Sequence, residues 1–412
     1  MTADHLEPVA GRATLPPLGR ASSRARSRRI VVLGTAASNP WAGLAWMHMQ
    51  IMLGLLRLGH DAYYVETTSA WPYDPIRRAA VGDSDYALPY LSQLAKDFGI
   101  ADRWAYRRSY SDGQWFGLPG ADAEALLAGA DAVLNVAGAT RLAWDGLEVG
   151  RLVYLGTDPG YRELALAKGD EDVRAMVEEH DDCVTYGENI GTADCPIPPL
   201  PRLRSKTRQP ILLDLWVAGP PSRSEFTTVS NWRDGAWDIE YGGTTYYWSK
   251  RREFLKFIDL PRRAGRPIEL ATGFSGLNAE DRESLISNPW RLRDAHSLTT
   301  DPWRYRDYVR SSPGEFTVTK DQYARLRSGW FSERSACYLA AGRPVVCQDT
   351  GFGNVLPTGE GLFACATTDE AVAALEAIDA DYERHSRAAR SIAEEFFAAE
   401  TVLARLLDDL GL

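Results

Sequence analysis

Residues 29–66, RIVVLGTAASNPWAGLAWMHMQIMLGLLRLGHDAYYVE, decide the fold. Arg29-Ile30-Val31-Val32-Leu33-Gly34 reads as a strand, because a short unbroken apolar run ending on glycine suits a strand covered on both faces. A loop follows over Thr35 to Gly43 and contains Ser38-Asn39-Pro40-Trp41. Leu44 to Leu58 is apolar on most faces and reads as a helix, which Gly59-His60-Asp61 ends. Ala62-Tyr63-Tyr64-Val65-Glu66 is the next strand. Two parallel strands need a crossover of this kind, so the segment is a βαβ unit.

The alternation continues outward. Helices are expected at 121–128 and 171–179, and strands at 132–136, 152–155 and 183–186. Asp194-Cys195-Pro196-Ile197-Pro198-Pro199-Leu200-Pro201 is too rich in proline for regular structure, and Arg202, Arg204, Lys206 and Arg208 follow it. Residues 194–210 therefore read as a linker. Beyond it, strands are expected at 226–229, 267–271, 315–318 and 344–347. Helices are expected from Ser249-Lys250, over 278–285 and over 332–341. Thr367 and Glu370 form a capping box before a helix. Strands alternating with helices imply parallel sheets covered on both faces. The expected organisation is a basic tail at 1–28, an α/β domain at 29–200, a second at 210–395, and a last helix at 396–412 packing back on the first domain.

Length agrees: 412 residues exceed what one core usually serves, and two domains of roughly 200 residues are the natural division. No apolar run approaches the ~20 residues that span a bilayer. The net charge of -10 argues against nucleic acid or an anionic membrane as the main partner. The five cysteines are scattered without a CxxC pair, which suits reduced thiols in a cytoplasmic protein. The arginine-rich start lacks the apolar stretch of a secretory signal and reads as a disordered tail.

Ligands of open α/β sheets bind beyond the carboxyl ends of the strands, so those loops are where the chemistry is sought. The first loop offers Asn39, Trp41 and Gly43, with the free amides of a helix start behind them; a plain βα turn is the alternative. It lacks GxGxxG, which leaves a dinucleotide poorly supported. In the second half, Asn231, Trp232 and Lys250 follow the first strand, where a cation at a helix start can meet a diphosphate; a solvated surface lysine is the alternative. The densest segment is Ser328 to Val346. Ser332 suits a helix N-cap, and Arg334 and Ser335 lie in the first turn, within reach of phosphate oxygens. The strand after it ends in Asp349-Thr350-Gly351-Phe352-Gly353, whose aspartate and glycine amides suit sugar hydroxyls. A packing motif without a ligand is the alternative for this segment.

Leu339-Ala340-Ala341-Gly342-Arg343-Pro344-Val345-Val346, followed by Asp349-Thr350-Gly351, resembles the GT-B superfamily of nucleotide-sugar glycosyltransferases. Ser328 to Gly361 and Asn231 to Leu260 look like a little-characterised bacterial group of such enzymes. The resemblance implies two Rossmann-like domains facing across a cleft. It also implies a carboxy-terminal donor domain whose first βα loop gives a basic residue to the diphosphate. The chain departs from the Glu-x7-Glu pair of many retaining members: Cys337 stands at the second position and Gly329 at the first, with Glu333 midway. Neither stereochemical course is thereby implied.

The expected activity is transfer of a sugar from a nucleotide diphosphate donor to a small-molecule acceptor, such as a natural product. No metal, and no cofactor beyond the nucleotide-sugar co-substrate, is expected. Lys250, Asn231, Ser332, Arg334, Ser335 and the amides near Gly351 and Gly353 would hold the donor, and Asp158 after a first-domain strand would be the base. His48 is the second choice, set against its apolar helical neighbours. Trp41, Trp46, Trp71, Trp104 and Trp115 could line an acceptor pocket or fill the core. A nucleotide-sugar epimerase of the same architecture and a two-lobed binding protein are the rival readings; a Rossmann oxidoreductase is weaker.

Overall fold

The opening βαβ unit folds as its apolar pattern demands. The computed structural model describes residues 27–412, so the expected basic tail lies, as far as residue 26, outside the described residues. Its first half contains β1 (Arg29–Leu33), β2 (Asp61–Thr67), the hairpin β3 (Tyr73–Asp74) and β4 (Ala79–Ala80), β5 (Trp104–Arg107) and β6 (Trp115–Gly117). It continues with β7 (Ala132–Val136), β8 (Leu152–Gly156), β9 (Asp182–Thr185) and β10 (Leu203–Lys206). Among the described residues the first sheet runs β10-β9-β8-β7-β1-β2-β5-β6. All its pairs are parallel except β5 with β6.

The second half begins at β11 (Phe226–Val229), followed by the hairpin β12 (Ile239–Tyr241) and β13 (Thr244–Tyr246). It continues through β14 (Ile268–Thr272), β15 (Trp290–Asp294), β16 (Glu315–Thr317), β17 (Val345–Gln348) and β18 (Leu362–Cys365). The second sheet is wholly parallel, in the order β15-β14-β11-β16-β17-β18. This is the two-sheet α/β architecture that the residue pattern implies.

One element corrects the reading. β10 lies inside the stretch taken as linker and pairs parallel with β9 at the edge of the first sheet. Its exposed Arg204 and its Lys206 suit an edge position, where charge guards unpaired backbone. Those charges hid it.

Two buried devices shape the first cleft loop. The Glu66 carboxylate, wholly buried, accepts hydrogen bonds from the Ala37 amide (2.9 Å), the Ser38 amide (2.6 Å) and the Tyr64 hydroxyl (2.8 Å). The loop is thereby tied to β2. Gly34 is required by close approach, since a Cβ there would lie 2.4 Å from His48 Cδ2.

The halves join through side chains. Trp46 on the helix Ala42–Arg57 packs against Phe98, Trp216 and Trp303, with centroids 4.9–5.5 Å away. Its indole donates to Pro302 O at 2.8 Å. The C-terminal helix Ala399–Leu410 packs on Ala42–Arg57, with Leu403 over Gly54. A third contact centres on Asn189, whose side-chain amide donates to Arg327 O and Gly351 O at 3.0 Å each.

That contact gives Gly329 a physical reason. Its φ is +74°, and a Cβ would lie 2.8 Å from Asn189 Cγ. A glutamate has no room at this position, the first of the Glu-x7-Glu pair from which the chain departs. Gly329→Ala is expected to cost about 2–4 kcal/mol, as a left-handed backbone penalty plus overpacking. Gly243 shares φ +74° but would meet nothing within 4 Å. Gly243→Ala should therefore cost only the backbone share, about 1–2 kcal/mol. Urea midpoints of the two variants measure the difference.

Candidate active site

The carboxyl ends of both sheets face one cleft of about 800 Å³. The first half contributes Trp41, Gly43, Leu44, Met47, Thr157, Asp158 and Tyr186. The second half contributes Asn231 and Lys250 after β11, Phe274 after β14, His296 after β15, Lys320 after β16, and Ser332, Glu333 and Arg334 at the start of the helix Glu333–Ala340.

The cations differ in what they already hold. Arg334 is committed to the protein: its guanidinium pairs with the buried Glu315 carboxylate and donates to Val229 O (2.6 Å) and Thr317 Oγ1 (2.7 Å). It supplies positive potential to the cleft rather than a free fork. Lys320 sits 3.1 Å over the Trp248 ring centroid and donates to Asp158 Oδ1 at 2.8 Å and to the Tyr323 hydroxyl at 3.0 Å. Lys250 is different. Among the described residues its ammonium has no ion pair and no hydrogen-bond acceptor. Burial lowers its pKa from 10.5 to about 7, and the nearby charges of Arg334 and Lys320 add to the effect. An unpaired, desolvated cation facing two others favours an anion between them.

Ser332 adds to this wall. It is the N-cap of Glu333–Ala340, in extended backbone conformation, but its hydroxyl makes no capping hydrogen bond. Among the described residues that hydroxyl has no hydrogen-bond partner, and Ser332 lines the cleft at the positive end of its helix.

Several expected site residues lie elsewhere. His48 is buried in the core over Gly34, where Nδ1 contacts Leu44 O at 2.6 Å and burial lowers its pKa to about 4. It is neutral and remote from solvent, so it is a packing residue. Trp232 turns inward to stack on Phe254, and its indole donates to Asp281 at 2.9 Å. Ser335 is wholly buried with its hydroxyl unpartnered, on the inner face of its helix. Asp349, Thr350, Gly351 and Gly353 form no part of the cleft wall. Asp349 accepts from the Gly351 amide (2.7 Å) and pairs with Arg327, Thr350 donates to Trp330 O, and Gly351 rests on Asn189. That loop closes the interface between the halves. Asn39 is exposed beside the cleft, whereas Trp41 and Gly43 line it.

Asp158 does line the cleft, but its chemistry differs from that expected. It pairs with Lys320 across the two halves and accepts from the Tyr323 hydroxyl. Burial works against its charge, yet Lys320 and Tyr323 outweigh it and hold the pKa at about 2. A carboxylate that binds its proton so weakly is a poor base at neutral pH. It acts as a tie between halves.

Local sequence pattern does not single out Trp248 or His296, and the cleft also takes in Lys320. Lys320 carries a usable signal, since it stands two residues past the strand expected at 315–318. Of the five tryptophans named for the acceptor, Trp41 lines the cleft; Trp46 and Trp104 are core, Trp115 is half-buried against the first-half core, and Trp71 is exposed. Trp41 lies 5.0 Å from Tyr73 and 6.0 Å from His296, and His296 Nε2 is 2.8 Å from Pro75 O. These rings make an apolar rim at the mouth. Among the described residues no cluster of His, Cys, Asp or Glu is arranged to hold a metal, and no helix is long and apolar enough to cross a membrane.

The fold is similar to that of an alpha-glucosyltransferase in complex with UDP and a 13-mer DNA containing a HMU base. The TM-score is 0.55 at 9% identity, over 94% of this chain and 100% of that one. It is also similar to Anabaena Alr3699/HepE in complex with UDP-glucose, with TM-score 0.51 at 12% identity over 93% and 99% of the two chains. No protein-family model matches the chain, and no curated protein matches it in sequence. Two α/β halves facing across a cleft are the GT-B fold, and this chain has it.

Proposed function

We propose that this GT-B chain is a glycosyltransferase that moves a sugar from a nucleoside diphosphate to a small acceptor with an apolar or aromatic face. The observation that carries the reading is Lys250, an unpaired cation on the cleft wall with the open helix start at Ser332 and the field of Arg334 and Lys320. As the bond between sugar and diphosphate breaks, negative charge grows on the leaving phosphate. Fixed cations and helix-end amides stabilise that charge with little reorganisation, without a metal being required of them. The Trp41, Tyr73, Leu44 and Met47 side supports the acceptor class, since sugars and planar rings bind such surfaces. The net charge of -10 disfavours DNA as acceptor, although one structural neighbour was seen with it.

The neighbours with UDP or UDP-glucose make a uridine nucleotide the first donor to try. A thermal-shift screen of the purified protein against UDP, dTDP, GDP, ADP, NAD and NADP tests the reading. A ligand at about 100 times its Kd stabilises by about 2.7 kcal/mol, which raises the melting temperature measurably. The expected result is a shift with one nucleoside diphosphate. A shift confined to NAD or NADP would overturn the reading in favour of an oxidoreductase. Conversion of the nucleotide sugar to its epimer, with the nucleotide still attached, would favour the epimerase.

A further inference from the structure

We propose that Glu333 is the general base that deprotonates the acceptor, an inference that rests on the glycosyltransferase reading of the same cleft. Its carboxyl is held from two sides. Gln50, on the helix Ala42–Arg57 of the first half, accepts with Oε1 from the Leu212 amide (3.1 Å) and the Trp216 indole (3.0 Å). Both partners are donors only, so the orientation of the Gln50 amide is settled. Its Nε2 must face Glu333, and it donates to Glu333 Oε1 at 2.8 Å. Cys337, one turn along the same helix, also contacts Oε1, at 3.4 Å. Oε1 therefore takes two hydrogen bonds from the protein. Among the described residues Oε2 takes none; it is not among the sealed polar atoms, and its residue lines the cleft. It is the oxygen left to exchange a proton with a substrate.

The surroundings match the task. Burial raises the Glu333 pKa to about 7, against the lowering effects of Cys337, Arg334 and Gln50. The groups facing it are Gln50 and Cys337, Arg334 beside it on the helix, Tyr186 after β9 and Tyr305 on the helix Pro302–Ser311. No second carboxylate is among them. A base that gains and loses its proton near neutral pH is well matched to a sugar-transfer step, whereas Asp158 is not. In the step, the acceptor hydroxyl oxygen bonds to the anomeric carbon and its proton passes to Glu333 Oε2. The bond from that carbon to the diphosphate oxygen breaks, and its electron pair leaves with the nucleoside diphosphate. Glu333 then releases the proton to solvent.

The test is the pH dependence of UDP release from saturating UDP-glucose, with water or a phenol as acceptor, alongside calorimetric UDP binding. The wild-type rate should fall as pH drops through about 7, because the protonated carboxyl cannot act. Glu333→Gln should lose about 10²–10⁴-fold in rate while binding UDP as the wild type does. Cys337→Ala removes a hydrogen bond that favours the charged carboxylate, so the same limb should move to higher pH. A structural role alone would not produce that shift. Unchanged rate and pH limb in Glu333→Gln, or loss of UDP binding by that variant, would overturn this proposal alone. A wild-type protein that binds none of UDP, dTDP, GDP and ADP would overturn the glycosyltransferase reading, and this one with it.

Discussion

Lys250→Met is expected to weaken nucleoside diphosphate binding by about 10–150-fold, the worth of one charge-assisted hydrogen bond of about 1.5–3 kcal/mol. The same change should make the nucleotide-free protein more stable. The Lys250 pKa lies at about 7 in the folded chain against 10.5 for an ordinary lysine, so its charged form is disfavoured by folding. The unfolded chain binds more protons between those two values, and the stability of the wild type accordingly rises with pH across that window. The cost of the charge is complete below pH 7 and gone above pH 10.5. The variant's advantage, about 1–3 °C in melting temperature, should therefore be largest in mildly acid buffer and shrink toward pH 10. Binding carries the opposite sign: a diphosphate prefers the ammonium, so the affinity of the wild type should fall as pH rises through 7. Calorimetric titration of both proteins from pH 6 to 9 reads this, and the variant should show no such slope. Equal affinities in the two proteins would remove Lys250 from the donor site.

Arg334→Met should destabilise by about 3–5 kcal/mol, because removal of one partner leaves a buried charge uncompensated. Glu315 has no solvent exposure and Arg334 is the cation paired with it. Its other carboxylate oxygen already lacks a hydrogen bond. Val229 O and Thr317 Oγ1 lose donors in the same change. A second substitution, Glu315→Gln, should recover part of the loss, and the double-mutant cycle isolates the coupling. Urea midpoints of the four proteins measure it. A loss below 1 kcal/mol would mean that Arg334 is held loosely enough to turn toward a ligand.

The strands that could be read along the chain are those whose burial is continuous. Ile30 to Leu33, Ala132 to Val136 and Val345 to Gln348 are runs of buried residues, each followed by a turn, and local pattern suffices to find them. Contacts between distant residues were another matter. Asp158 and Lys320 lie 162 positions apart, as do Gln50 and Leu212, and nothing in local spacing announces either pair. Gly351 reads along the chain as a backbone donor to a ligand, and the structure gives it φ +84° against Asn189. Close packing on Asn189 and close approach of a ligand leave the same glycine in the sequence. Trp232 was misplaced for a similar reason, since an aromatic ring after a strand serves a cleft or a core equally well.

The ring cluster around Trp46 bears on how chains of this fold can be recombined. Trp46, Phe98 and Trp216 come from the first half or the segment leaving it, whereas Trp303 comes from the second. A chimera spliced near residue 210, meant to trade one donor specificity for another, would cut through this shared packing. The transplanted portion would arrive with Trp303 facing a foreign surface. A workable exchange has to carry the helix Pro302–Ser311 together with the residues it meets on Ala42–Arg57, so the unit of inheritance is larger than either sheet.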